Sequence, residues 1–121
     1  MLNATMTTLF VKDAQASRAF YEDLLGRKPV DQMEAFVMFG NDGGSMLGLW
    51  KTDTVVPETD GAVGGTELTI PVQSDADVDR TCADWKARGI TIVQEPMTMP
   101  FGRTFVGLDP DGHRLRVFAQ S

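Results

Sequence analysis

The sequence predicts an α+β fold made of two βαβββ modules, each a mixed sheet with one helix on one face. Three observations carry this. First, 5–12 and 66–73 alternate apolar and polar residues with a period of two, and a capping residue and an amphipathic helix follow each. Second, the order of elements repeats at about 61 residues, which places Met6 on Glu67 and Val11 on Val72. Identity between the halves is low, so the repeat rests on the pattern of elements. Third, 102–118 reads as strand, tight turn, strand around Asp109-Pro110-Asp111-Gly112. There Pro presets φ near about −65° and Gly tolerates the positive φ that closes the turn.

The elements follow in order. On the strand 5–12, Thr7, Leu9 and Val11 face one way and Met6, Thr8 and Phe10 the other. Asp13 caps a helix over 14–25, since its carboxylate can accept from free N–H groups of the first turn. Ala16, Phe20 and Leu24 are expected to form its apolar stripe, and Gly26 ends it. A short strand opens at Pro29, another spans 35–39, and Asn41-Asp42-Gly43-Gly44 turns into a fourth over 45–51. This completes module one, 5–51. Residues 52–65, with Pro57 and several Gly and Ala, read as a linker. Module two, 66–119, opens with Leu68, Ile70 and Val72 on one strand face. Ser74 or Asp75 caps a helix over 76–88, with Val78, Cys82 and Trp85 as its core stripe and Gly89 at its end. A short strand 90–94 follows. The apolar stretch Glu95–Phe101 reads as a loop, either a cavity wall or a surface against a second subunit. The two helices would cover Leu9, Val11, Leu47, Leu49, Leu68, Ile70, Val72, Leu115 and Val117.

The totals bound the answer. A chain of 121 residues allows one domain with a real core. A net charge of −6 argues against a nucleic-acid partner, which needs a basic footprint. Cys82 is the one cysteine, so no intrachain disulfide can form, and burial on a helix predicts an inert thiol. No apolar run approaches the roughly 20 residues of a membrane span, and the first residues lack the features of a secretory signal. A cytoplasmic location is the expectation. One His and one Cys on different elements suggest no nucleophile–base pair, so no catalytic residues are assigned. Tyr21 reads as structural.

The sheet faces turned away from the helices are informative. They carry Met6, Thr8 and Phe10, then Met46, Gly48 and Trp50, then Glu67 and Thr69, then Arg114, Arg116 and Phe118. Apolar walls with a few charges are the composition of a ligand cavity rather than of a solvated face. Glu67 and Arg116 read as an ion pair that orients a ligand or lets Arg116 bind a carboxylate; the plain alternative is two solvated charges. Arg103 faces the cavity or braces the following turn, and the sequence leaves both open. His113 is placed at the sheet rim.

Phe101-Gly102-Arg103-Thr104-Phe105 and Asp109-Pro110-Asp111-Gly112-His113, followed by Arg116-Val117, resemble the end of a vicinal oxygen chelate domain. That superfamily holds glyoxalase I, extradiol dioxygenases and bleomycin-resistance proteins, and the chain looks most like its phenazine-antibiotic-resistance binding proteins. The resemblance covers nearly the whole chain. It implies the glyoxalase/bleomycin-resistance fold, with curled sheets around a concave cavity, and a homodimer whose modules pair within or between chains. It also matches Met6, Gly48, Glu67 and Arg116 to the superfamily's metal-ligand positions. One carboxylate and one cation among these predict no metal and no cofactor. Trp50 matches an inward aromatic that stacks on a planar ligand in those relatives; the alternative is packing under a loop or at a dimer interface. The expected function is metal-independent binding and sequestration of a planar aromatic small molecule. Trp50 is the platform, Met6, Phe10, Met46, Phe101 and Phe118 are apolar walls, and Arg116 with Glu67 orients polar groups. The alternatives are a superfamily enzyme with a displaced metal site or a metal-free mechanism, and a regulatory domain with a vestigial cavity.

Overall fold

The computed structural model describes residue 2, residues 4–59 and residues 63–120, the last without its side chain. The chain divides into two compact units, Met1–Val63 and Gly64–Ser121. The first contains β1 (Met6–Val11), α1 (Ala14–Leu25), β2 (Asp31–Gln32), β3 (Phe36–Gly40) and β4 (Met46–Lys51). The second contains β5 (Glu67–Val72), α2 (Asp75–Ala87), β6 (Ile92–Met99), β7 (Gly102–Leu108) and β8 (Arg114–Gln120). The sheets have the same order, β1-β4-β3-β2 and β5-β8-β7-β6. In each, the first strand pairs parallel with the last, and the remaining pairs are antiparallel. A parallel partner needs a long crossover, which the helix supplies, whereas short turns suffice for the antiparallel pairs. Two helices on two open four-stranded mixed sheets are the α+β arrangement the sequence predicts.

Local chemistry sets the helix ends. Asp13 is extended at φ −136°, and its Oδ1 accepts from the N–H groups of Gln15 and Ala16 at 3.0 and 3.1 Å. Gly26 takes the left-handed conformation at φ 66° and donates its N–H to the Glu22 carbonyl. Of the two candidates for the second cap it is Ser74, whose Oγ accepts from the Asp77 N–H at 3.1 Å.

The core of the first unit is the helix-facing side of its sheet. Leu9, Val11, Val37, Phe39 and Leu49 are fully buried there. The stripe expected on α1 is corrected by one position. Ala14, Ser17 and Tyr21 are its buried residues, while Ala16 is exposed and Phe20 and Leu24 are half-buried. Small side chains at 14 and 17 let the helix approach the sheet closely, and the Tyr21 ring packs edge-on against Phe20.

In the second unit α2 buries Val78, Cys82 and Trp85, the expected stripe. Trp85 meets Phe105 edge to face at 5.1 Å, above Leu115 and Val117, which are fully buried. Leu68, Ile70 and Val72 are only half-buried, unlike Leu9 and Val11 on the corresponding strand of the first unit. One expectation fails here. Glu95–Phe101 is not a loop: β6 runs on to Met99, with register shifts between Ile92 and Gln94 and between Gln94 and Met97 that absorb Pro96. His113 directly precedes β8 at the sheet rim but is buried there, and its backbone N–H donates to Asp109 Oδ1 at 2.8 Å. The linker also has structure. It opens with a 3-10 turn, Thr52–Thr54, and buries Val55, while its residues 60–62 lie outside the described residues.

Candidate ligand-binding site

Each unit presents one sheet face away from its helix, and the candidate residues divide between the two faces. In the first unit, strand register arranges them in rows. Phe10 lies opposite Trp50, and Trp50 lies opposite Phe36, so three aromatic residues cross β1, β4 and β3 in one line. The next row on that face is Thr8, Gly48 and Met38, and the third begins with Met6 and Met46. The Phe36 and Trp50 rings are perpendicular, with centroids 6.1 Å apart and an interplanar angle of 88°. That edge-to-face geometry suits the ring quadrupoles. Gly48 makes room for it: a Cβ there would stand 3.2 Å from Phe36 Cε1 and Cζ and 3.1 Å from Thr8 Oγ1. Met6 remains about half exposed and Phe10, Met46 and Trp50 are partly covered.

In the second unit the face is built around Arg116. Its Nε donates to Glu67 Oε2 at 3.1 Å, and its Nη1 donates to Gln94 Oε1 at 3.2 Å and Thr104 Oγ1 at 3.3 Å. Thr104 Oγ1 in turn donates to the Val117 carbonyl at 2.8 Å, which fixes that acceptor. The Phe101 ring lies over the guanidinium, 5.9 Å from Cζ to the centroid, and meets Phe118 at 6.0 Å. Arg116 is 18% exposed and Glu67 37%, so the pair is partly desolvated and held by more than its own attraction. Gln94 turns its Nε2 donor toward two thioethers, Met97 Sδ at 3.4 Å and Met99 Sδ at 3.8 Å.

The structure thus brings Met6, Phe10, Met46 and Trp50 onto one face and Glu67, Phe101, Arg116 and Phe118 onto another. Arg103 belongs to neither. Its Nε donates to Asp79 Oδ1 at 2.8 Å, so it ties β7 to α2 on the helix side. Sequence reasoning missed Phe36, Gln94 and Thr104. Phe36 and Thr104 had a signal in the alternation of their strands. Gln94 had none, since the irregular pairing of β6 decides where its side chain points.

The four positions matched to superfamily metal ligands do not fit a divalent ion. In the first unit Met6 offers a thioether and Gly48 no donor. In the second the Glu67 carboxylate already accepts from the cationic Arg116. Among the described residues, no three His, Cys, Asp or Glu side chains cluster as a metal would need.

Two other hollows lie in the first unit. One of about 610 Å³ is lined by Thr52–Val56, Glu58 and Thr59. The other, of about 360 Å³, lies at the start of α1 between Lys12, Glu34 and Lys51. Neither contains a candidate residue. Buried Cys82 has its thiol pKa pushed up by desolvation, the setting of an unreactive cysteine. Among the described residues, no helix is long and apolar enough to cross a membrane.

The chain is similar to several known proteins. Over 120 residues it is 29% identical to the phenazine antibiotic resistance protein EhpR of Enterobacter agglomerans, covering 96% of this chain and 91% of that one. Protein ATC0852 of Agrobacterium tumefaciens, solved by solution NMR, is 45% identical, with a TM-score of 0.91 over 100% of this chain and 99% of that one. TnmS3, an antibiotic binding protein from Streptomyces, shares the fold at 20% identity, with a TM-score of 0.78 over 100% of this chain and 98% of that one. The family model described as Glyoxalase/Bleomycin resistance protein/Dioxygenase superfamily matches residues 3–117. The chain therefore belongs to the glyoxalase/bleomycin resistance protein/dioxygenase superfamily.

Proposed function

We propose that this protein binds and sequesters a planar aromatic small molecule of the antibiotic type, without a metal ion. The observation that carries the reading is the aromatic row Phe10–Trp50–Phe36 on the sheet face turned away from α1. Within that row the Trp50 indole, braced edge-on by Phe36, offers a flat ligand the largest ring area at low entropic cost. Similarity to a phenazine antibiotic resistance protein supports the ligand class. The Glu67–Arg116 pair supports the metal-independent part, because it puts a cation where a ligand set would need a donor. A homodimer, implied by the resemblance, and a cytoplasmic location, the expectation from the sequence, belong to this reading, and sedimentation and fractionation test them.

The test is calorimetric titration of the protein, and of Trp50→Leu, with phenazines and other planar antibiotics. Saturable binding is expected, weakened roughly tenfold in the variant, since stacking adds about 0.5–1.5 kcal/mol beyond the area lost. Binding that Trp50→Leu leaves unchanged would refute the platform. A stoichiometric divalent ion in protein purified without chelators would overturn metal independence.

A further inference from the structure

We infer that Glu67 sets the charge selectivity of the Arg116 face, so that it takes a ligand group that is a neutral acceptor, a primary carboxamide above all, over a carboxylate. This rests on the reading that the protein binds a planar aromatic small molecule, and it concerns the face of the second unit alone.

The argument starts from the donors of Arg116. Nε and Nη1 are committed to Glu67, Gln94 and Thr104. Among the described residues Nη2 has no protein acceptor and is the edge left for a ligand. Phe101 and Phe118 stand beside it as apolar wall. An unpaired guanidinium in that place would favour a carboxylate, bound in bidentate fashion. Here the positive charge already has its counter-charge 3.1 Å away. A ligand carboxylate on Nη2 would share the cation with Glu67 and be repelled by it at short range. Arg114 lies opposite Glu67 across the β5–β8 pair and is exposed as Glu67 is, but among the described residues it is Arg116, not Arg114, that forms the ion pair with Glu67.

A primary carboxamide has no such conflict. Its carbonyl accepts from Nη2, and its N–H2 donates to Glu67 Oε1, which among the described residues has no donor of its own. A second donor, and a neutral one, is the Gln94 amide. It faces the sulfurs of Met97 and Met99, which are weak acceptors, so a ligand oxygen can replace them at little cost. Each member of the network thus finds a partner in an uncharged group that carries both a carbonyl and an N–H.

The experiment uses two matched probes, a phenazine carboxylate and the corresponding carboxamide, titrated at a pH where the acid is fully ionised. The wild type is expected to bind the carboxamide roughly tenfold more tightly or better. Glu67→Gln keeps the shape and an acceptor for Arg116 Nε but removes the charge, so it is expected to move the ratio at least about tenfold toward the carboxylate. The double variant Glu67→Gln/Arg116→Gln is expected to lose that gain. A wild type that prefers the carboxylate, or binds both equally, overturns the inference without needing any variant. So does a ratio that Glu67→Gln leaves unchanged. If neither probe saturates the wild type, the inference falls, and the planar-aromatic reading falls too only if the wider panel of planar antibiotics also fails to bind.

Discussion

Gly107 lies in β7 directly beneath Trp85 of α2. A Cβ added there would stand 2.8 Å from Trp85 Cε3, 3.0 Å from Cζ3 and 3.3 Å from Ile90 Cγ2. Carbon atoms rest at about 3.5–4.0 Å, so the indole would have to retreat by roughly 0.7 Å. It has little freedom to do so. Trp85 is 5% exposed and its ring meets Phe105, which is fully buried. Overpacking of this kind costs about 1–3 kcal/mol. Against that, replacing Gly within a strand relieves roughly 0.5–1 kcal/mol of backbone entropy. Gly107→Ala is therefore expected to destabilise the protein by roughly 1–2 kcal/mol, read as a lower urea midpoint with an unchanged m-value. A cycle with Trp85→Phe sharpens the test. The smaller ring vacates the space that the new methyl needs, so the double variant is expected to be more stable than the sum of the singles predicts, by about 1 kcal/mol. Gly107→Ala within about 0.5 kcal/mol of wild type, or a cycle additive to within that margin, would refute the packing argument. The consequence reaches the ligand-binding face. Thr104, which holds Arg116, lies on the same strand and points to the other side.

Two further outcomes are expected. Gly48→Ala crowds Phe36 at 3.2 Å, but that ring is half-buried and can give by a few tenths of an ångström. Stability should stay within about 0.5 kcal/mol while the near-UV circular dichroism of the Phe36–Trp50 pair changes, and an unchanged spectrum would place the rings elsewhere. Burial raises the thiol pKa of Cys82 in the folded state, so folding favours the protonated form. The associated stability is present below the ordinary thiol pKa and lost as pH rises through the folded one. Native Cys82 should therefore resist alkylation, and Cys82→Ala should flatten the alkaline fall in stability. Fast labelling of the folded protein would contradict both.

Local chemistry was legible wherever one residue settles the outcome. Asp13 and Gly26 mark the ends of α1 because a carboxylate and a left-handed glycine do at helix termini what few residues can. Alternation assigned the faces of β1 and β8, since a strand's period of two leaves no freedom in which side chains share a side. The stripe of α1 was read one residue off, because apolar spacing favoured Phe20 and Leu24 while close packing selected the small Ser17 and the ring of Tyr21. The alternating pattern that marks a strand is interrupted at Pro96, so the continuation of β6 to Met99 was invisible until its pairing with β7 was known.

The sequence by itself determined the class of fold, the repeat of βαβββ units, and which side chains of β1, β4 and β8 share a face. These follow from periodicity and caps, which act over a few residues. Only the tertiary structure decided what those residues do to one another. The Phe10–Trp50–Phe36 row exists because three strands that are not all neighbours in sequence come into register. Arg116 is held by Glu67, Gln94 and Thr104, which lie 49, 22 and 12 residues away along the chain. Such contacts depend on strand order and register, and those are set by how whole sheets bury their apolar faces rather than by any local stretch.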